Sequence, residues 1–199
     1  MRWLYKIAVV ALVAAMMGCG GDAGDRAVLR FLGFDNPDNG QPDTVNQTSA
    51  AVDIFPGLCS DGSYEPFTET EAVATFINNS GSDIQLDTIT VAIPDSGVAT
   101  ITQHVSQTIT GGRCGGSGGK RCAIDEECAV GTAPGTCTHQ ESQVTFKLFD
   151  IETKLLVSAG VYNVSVTFSG EDLSAERFTV REGLRVTFAN FDGCSSGGQ

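Results

Sequence analysis

Four cysteines in the middle of the chain are the residues whose chemistry is easiest to define. Their spacing is Cys114-x7-Cys122-x5-Cys128-x8-Cys137, within the glycine-rich segment GGRCGGSGGKRCAIDEECAVGTAPGTC. Four sulfurs can form two disulfides, or they can hold one zinc ion as thiolates. Structural zinc sites favour cysteine pairs two to four residues apart, and no pair here is that close. The spacing therefore favours two local disulfides over a metal site, and it leaves all three pairings open.

The N-terminal stretch, MRWLYKIAVVALVAAMMGCGGD, has the layout of an export signal. Two basic residues precede an apolar run over residues 7–17, and the small residue Gly18 stands before Cys19. A basic region, a short apolar run and a small residue are typical of a secretory signal peptide. The apolar run is too short for a comfortable membrane span.

The ending MMGC resembles the lipobox of bacterial lipoproteins, in which the cysteine is lipidated and becomes the first residue of the mature chain. The resemblance implies a signal peptide over residues 1–18, a lipid on Cys19, and a lipidated tether over 19–26. Gly20 occupies the position where Asp retains lipoproteins at the inner membrane in some bacterial groups. Its presence favours the outer membrane or the cell surface.

The cysteine count agrees with a lipid on Cys19. The chain has seven cysteines, and setting Cys19 aside leaves an even number, as a full set of disulfides in an exported protein requires. When the four clustered cysteines pair among themselves, Cys59 and Cys194 remain as partners by elimination. Such a bridge would tie the C-terminal end to an early loop and would stabilise the fold by about 2–4 kcal/mol.

No stretch of the sequence has the pattern of a catalytic site. It contains no G-x-S-x-G, H-E-x-x-H, Walker or dinucleotide-binding motif. The acidic run Asp125 to Glu127 is expected to be a solvated loop face. His104 and His139 flank the cysteine segment, and the two rings would form a weak metal site if their strands paired. We expect a protein without enzymatic activity.

The loop FDNPDNGQPD carries the strongest candidates for a metal ligand set. Carboxylate and amide oxygens suit the weak calcium sites of extracellular modules, and Asp35, Asp38, Asn39 and Asp43 lie together in this loop. The spacing does not match an EF-hand, because Pro37 falls where a side-chain ligand is needed. Asp, Asn and Pro are also the residues of ordinary turns. We therefore predict no cofactor and keep these four residues as weak calcium candidates.

The charge balance limits the partners of this protein. Asp and Glu number 24 against 12 Lys and Arg, so the formal net charge is −12. A surface of this kind repels nucleic acid and anionic lipid headgroups. We expect no nucleic-acid partner, and we expect membrane attachment through the N-terminal lipid alone.

Apolar and polar residues alternate in a series of short runs separated by turn residues. The clearest runs are EAVATFIN, DTITVAI, SQVTFKLF, GVYNVSVTF and RFTVREGLRVTF, the last of them broken at Gly183. Such alternation predicts strands with one buried face, and a series of short strands predicts an all-β antiparallel sandwich. No window outside the signal peptide shows helical periodicity. We expect one domain over residues 27–194, with a disulfide-stapled loop inserted at 111–138 and a flexible tail over 195–199.

Two stretches, SAGVYNVSVTF and ATFINNSGSDIQLDTITVAI, resemble bacterial immunoglobulin-like or fibronectin-III-like domains. The resemblance implies an immunoglobulin-like β-sandwich and matches Tyr162 to the tyrosine-corner residue, whose hydroxyl bonds nearby backbone. Trp3 is the single tryptophan in the chain, so the buried tryptophan of antibody domains has no counterpart in the predicted domain.

These observations predict a membrane-anchored envelope lipoprotein with a non-catalytic structural, adhesive or scaffold role and a protein partner. Ordered loops on a rigid scaffold are often used for binding, which makes the cysteine-rich loop the candidate surface. A decoration without a ligand is the other interpretation of that loop. The alternative function is a calcium- or small-ligand-binding accessory module of an envelope transport or assembly system.

Overall fold

The computed structural model describes residues 29–35, 49–59, 62–64, 67–115, 119–131 and 133–191. Ten strands and one α-helix lie in these ranges. They are β1 (Leu29–Asp35), β2 (Ser49–Asp53), β3 (Thr70–Asn78), β4 (Ile84–Ala92), β5 (Ile101–Ile109), β6 (Arg113–Cys114), β7 (Cys137–Thr138), β8 (Glu141–Phe149), α1 (Ile151–Leu156), β9 (Gly160–Asp172) and β10 (Arg177–Ala189).

Several sequence-based predictions concern residues outside these ranges. They are the signal peptide over 1–18, the lipidation site Cys19, the tether over 19–26, the disulfide residue Cys194 and the tail over 195–199. No helix among the described residues has the length and apolar character needed to cross a membrane.

Two facing sheets form a β-sandwich. One sheet has the strand order β1-β3-β8 and the other has the order β2-β10-β9-β4-β5. Neighbouring strands in these sheets are antiparallel, except that β2 runs parallel to β10. The order β1-β3-β8 against β10-β9-β4 is the order of an immunoglobulin-like sandwich. The predicted fold class, an immunoglobulin-like β-sandwich with an inserted disulfide-stapled loop, is confirmed.

An aromatic cluster around Phe168 fills the space between the sheets. Phe168 is fully buried, and its ring contacts Phe76 and Phe146 edge to face, with centroid distances of 5.0 and 5.6 Å. Phe31 and Phe34 of β1 complete the cluster. Because the alternating residues of β9 point inward, this strand contributes a continuous apolar row to the core.

The two ends of the sandwich carry different features. β1 begins at Leu29, which pairs with Asn78 at the end of β3. The Asn78 side chain in turn donates a hydrogen bond to the carbonyl of Ile109 at the end of β5 (3.2 Å). The cysteine-rich segment follows β5, so it lies at the end where β1 begins. Helix α1 follows β8 and lies at the opposite end.

Two local features differ from the sequence-based expectation. Strand β10 continues through Gly183, because the pairing with β9 is unbroken from Arg177 to Phe188. Helix α1 was not predicted. It is six residues long, and the Asp150 side chain caps it by accepting a hydrogen bond from the Thr153 N–H (2.7 Å). A helix of under two turns is too short to show a 3.6-residue period.

Tyr162 packs as a partly buried ring at the start of β9. Its ring contacts Phe188 edge to face, with centroids 5.7 Å apart. Among the described residues its hydroxyl makes no hydrogen bond, so the backbone bond that the resemblance to a tyrosine corner implied is not formed there. Ring packing therefore accounts for the position of Tyr162.

Candidate functional site

Two interleaved disulfides organise the segment between β5 and β8, which we call the cysteine module (residues 111–115, 119–131 and 133–139 as described). Cys114 bonds Cys128, and Cys122 bonds Cys137. The short antiparallel pair β6–β7 places Cys114 opposite Cys137. A 3₁₀ turn over Asp125–Cys128 ends at Cys128, whose sulfur bonds that of Cys114. The prediction of two local disulfides is confirmed, and the structure selects one of the three pairings.

The acidic run of the module bonds its backbone. Asp125 Oδ1 accepts a hydrogen bond from the Cys137 N–H, and Glu127 Oε2 accepts one from the Ala123 N–H, each at 2.6 Å. Lys120 Nζ donates to the Glu127 carbonyl. All three residues of the run are exposed, as expected of a solvated face, and two of their carboxylates also bond the backbone of the module.

Asp83 fastens the module to the turn between β3 and β4. Its Oδ1 accepts hydrogen bonds from Arg113 (2.7 Å) and from the Gly111 N–H (3.0 Å), and its Oδ2 accepts one from Arg121 (2.8 Å). The Gly112 N–H also donates to the Ser80 carbonyl (2.8 Å). The module is therefore held against the sandwich by contacts independent of its disulfides.

The electrostatics of this contact favour the ionised form of Asp83. Burial raises the pKa of the carboxyl, but the hydrogen bond from Gly111 and the Arg113 guanidinium lower it more, with a smaller contribution from Arg121. The net result is a pKa below the ordinary value of 3.8. At neutral pH the carboxylate is charged and holds both guanidinium groups.

His139 joins the module to β3. Its Nδ1 lies 2.8 Å from the Asn78 carbonyl oxygen, and its Nε2 lies 3.3 Å from the Ala123 carbonyl oxygen. His104 is exposed in the middle of β5, opposite Thr88. Because β5 and β8 belong to different sheets, the strand pairing that was expected to bring the two imidazoles together is not formed.

Glycines of the module lie where backbone and side chains approach closely. A Cβ at position 112 would lie 2.7 Å from Cε1 of His139 and 2.8 Å from Sγ of Cys137. A Cβ at Gly135 would collide with the backbone of Cys128. Glycine at these positions therefore permits close packing around the disulfides, a role that composition alone did not reveal.

The outer surface of the module carries two exposed aliphatic side chains. Ile124 is 55% exposed and Val130 is 70% exposed. The buried hydrophobic residues of the module are cysteines: Cys114, Cys122 and Cys128 form a small core with Cys137 packed against it. The aliphatic groups are thus displayed on a cross-linked backbone.

Asp35, the first of the calcium candidates, lies at the end of the sandwich opposite the module. Asp35 ends β1, and its Oδ1 is buried without a hydrogen-bond partner among the described residues. A cleft next to it is also lined by Glu71, Thr70 and Leu184. Three of the four candidates, Asp38, Asn39 and Asp43, lie outside the described residues.

Cys59 is also disulfide-bonded, and Cys194, its predicted partner, lies outside the described residues.

Sequence analysis did not anticipate the roles of Asp83, Arg113 or Arg121. Asp83 lies in NNSGSD, where the turn composition was the only signal. The two arginines directly precede Cys114 and Cys122, so their place next to paired cysteines was the one clue available.

No protein-family model matches the chain, and no curated protein matches it.

Proposed function

We propose that this chain is a lipid-anchored component of the bacterial envelope that presents its cysteine module to a protein partner and does not catalyse a reaction. The observation that carries this proposal is the exposure of Ile124 and Val130 on a doubly cross-linked segment fixed to the sandwich. A surface that is ordered before binding loses little conformational entropy when a partner docks.

The position of the module relative to the anchor suggests where the partner lies. Cys19 precedes Leu29 by roughly ten residues, and a fully extended stretch of that length spans at most about 36 Å. Leu29 stands at the same end of the sandwich as the module. A lipid on Cys19 would therefore keep the module within reach of the membrane surface, and the partner would be a protein found there.

Charge supports a protein as the partner. The net charge of −12 disfavours anionic lipid headgroups and nucleic acid. The Asp83 carboxylate neutralises part of the charge of Arg113 and Arg121, the guanidinium groups at the base of the module. The aliphatic pair Ile124 and Val130 is then the feature that a protein surface could recognise.

The anchor is tested with the full chain expressed in a bacterial host. We expect the intact mass of the membrane-bound protein to match a chain that begins at Cys19 and carries acyl groups. Cys19→Ala should move the protein to the soluble fraction or leave it with an uncleaved signal peptide. An unmodified chain that starts elsewhere would contradict the lipoprotein assignment.

The partner surface is tested by photo-crosslinking in the same cells. A photoreactive residue replaces Ile124 or Val130, and the matched control replaces Leu155, which is 58% exposed on α1 at the other end. We expect one defined protein adduct from the two module positions and none from position 155. Equal adducts from all three positions, or none from the module, would contradict this surface.

A calcium-binding accessory role is the second candidate, and the unpartnered buried Oδ1 of Asp35 favours it. Calcium would raise the midpoint of thermal unfolding of the wild-type chain, and Asp35→Asn would abolish that shift. Magnesium is the control cation, because it requires a tighter octahedral site. No calcium-dependent shift in the wild-type chain would exclude this role.

A further inference from the structure

We propose that the cysteine module is also a latent metal site, which binds one zinc-like soft divalent ion through four thiolates when its two disulfides are reduced. The sulfurs of Cys114, Cys122 and Cys128 lie within 4.8 Å of one another, although they belong to two different bridges. All three cysteines are buried. The fourth sulfur, of Cys137, is directly bonded to that of Cys122.

The distances suit a small tetrahedral ion. A zinc–sulfur bond of about 2.3 Å places neighbouring sulfurs of a tetrahedron about 3.8 Å apart. The Cys122 sulfur, within 4.8 Å of the Cys114 and Cys128 sulfurs, reaches that spacing with a shift of about 1 Å or less, and the two sulfurs of each reduced bridge must separate by about 1.7 Å. The sequence spacing disfavours zinc because it lacks closely spaced cysteine pairs. In the fold, the interleaved connectivity brings together sulfurs that are far apart in sequence.

The backbone around these cysteines is held by bonds that survive reduction. The Cys137 N–H donates to Asp125 (2.6 Å), and the Cys114 N–H donates to the Lys120 carbonyl (2.8 Å). The Cys122 N–H donates to the Gly112 carbonyl (3.1 Å). These hydrogen bonds, with the Asp83 contact to both arginines, hold the backbone at Cys114, Cys122 and Cys137 once the sulfur–sulfur bonds are broken.

The chemistry balances with a dithiol or a phosphine as the reductant. Each bridge takes up two electrons and two protons and becomes two thiols. For each bridge, one dithiol is oxidised to a disulfide, or one phosphine is oxidised to its oxide with water as the source of oxygen. Binding of the divalent ion then displaces the thiol protons to solvent. Four thiolates and one divalent ion carry a net charge of −2, and Arg113 and Arg121 directly precede two of the ligands.

The test uses the purified full-length domain and cobalt(II) as the probe, because tetrahedral cobalt thiolate has intense visible bands. The protein is reduced with a phosphine in the absence of oxygen, desalted and titrated with cobalt(II). We expect about one cobalt per chain with a tetrahedral sulfur spectrum, bleached by stoichiometric zinc. The unreduced protein should show no such spectrum. Reduced protein that gives only the weak octahedral spectrum of cobalt would overturn the proposal.

Matched variants locate the site. Cys59→Ser/Cys194→Ser leaves the module intact and should bind cobalt as the wild type does. Cys114→Ser/Cys128→Ser retains two module sulfurs and should bind at least about tenfold more weakly. Circular dichroism of each reduced protein establishes that the β-sandwich persists, and zinc should protect the module thiols of folded protein from alkylation. Equal binding by both variants, or unprotected thiols in folded reduced protein, would overturn the proposal.

Discussion

The side-chain amide of Gln103 hydrogen-bonds both backbone groups of Lys147, which lies in the opposite sheet. Gln103 Oε1 accepts from the Lys147 N–H (2.9 Å), and Gln103 Nε2 donates to the Lys147 carbonyl. Gln103 belongs to β5 and Lys147 to β8, and each of these strands is the last of its sheet. The amide thus closes the open side of the sandwich and occupies backbone groups that an edge strand would otherwise expose.

This contact predicts that Gln103→Ala lowers the free energy of unfolding by about 1–2 kcal/mol, because it removes two hydrogen bonds and leaves edge backbone groups unpaired. Gln107→Ala is the matched control. Gln107 lies on the same strand and is also partly buried, and its side chain makes no hydrogen bond to a described residue, so its truncation should cost less than about 0.5 kcal/mol. Urea unfolding measures both variants. Equal costs would show that the amide does not join the sheets.

The aromatic cluster predicts a larger effect at Phe168. This ring is fully buried and meets Phe76 and Phe146 edge to face, so Phe168→Ala should lower the free energy of unfolding by about 3–5 kcal/mol. Phe55→Ala serves as the control, since Phe55 is 48% exposed. Thermal and urea unfolding compare the two. A cost at Phe168 no larger than at Phe55 would contradict a core centred on this ring.

The strands of the sandwich could be predicted from the sequence because the alternation of apolar and polar residues lies within each strand. The alternation along GVYNVSVTF and SQVTFKLF identifies the buried faces of β9 and β8 without knowledge of any partner strand. The two local disulfides followed in the same way, from cysteine number and spacing. In each case neighbouring residues carry the signal.

The attachment of the module could not be predicted, because its contacts join residues far apart in sequence. Asp83 bonds Gly111 and Arg121 across 28 and 38 positions, and His139 bonds Asn78 across 61. No periodicity encodes such contacts. The number of glycines also gave no indication that Gly112 and Gly135 permit close packing.

Close packing at Gly112 predicts that substitution by alanine destabilises the protein much more at Gly112 than at Gly115. Gly112→Ala would place a methyl group against His139 and Cys137, so it should lower the free energy of unfolding by about 1–3 kcal/mol or more. Gly115→Ala is the control, because its nearest contact would be the Thr136 carbonyl at an ordinary 3.8 Å. Thermal unfolding and the yield of correctly paired disulfides report the effect. Indifference to both substitutions would mean that the module is loosely packed.

The two histidines should differ in their contribution to stability. His139→Ala removes the ring that lies between the Asn78 and Ala123 carbonyls, and we expect a loss of about 1–2 kcal/mol. His104→Ala removes an exposed side chain on β5 and should change stability by less than about 0.5 kcal/mol. Urea unfolding at neutral pH distinguishes them. A larger loss at His104 would contradict a structural role for His139.

The Asp83 contact predicts a pH-dependent contribution to stability. The pKa of Asp83 is lower in the folded chain than its ordinary value of 3.8. The stabilisation is therefore present above the unfolded value and is lost as the pH falls through the folded pKa. We expect Asp83→Asn to cost about 1–2 kcal/mol at pH 7. The difference from wild type should shrink as the pH falls below 3.8 and disappear once the pH is below the folded pKa.

Hydrogen exchange separates this effect from a general loss of stability. Asp150→Asn is the control, because the Thr153 N–H likewise lowers the pKa of Asp150, at the far end of the sandwich. Asp83→Asn should speed exchange at the Gly112 and Cys122 amides, which bond across the base of the module. Asp150→Asn should speed exchange around α1 and leave those two amides protected. Gly112 and Cys122 amides that stay protected in Asp83→Asn would contradict a role for the Asp83 charge in holding the module against the sandwich.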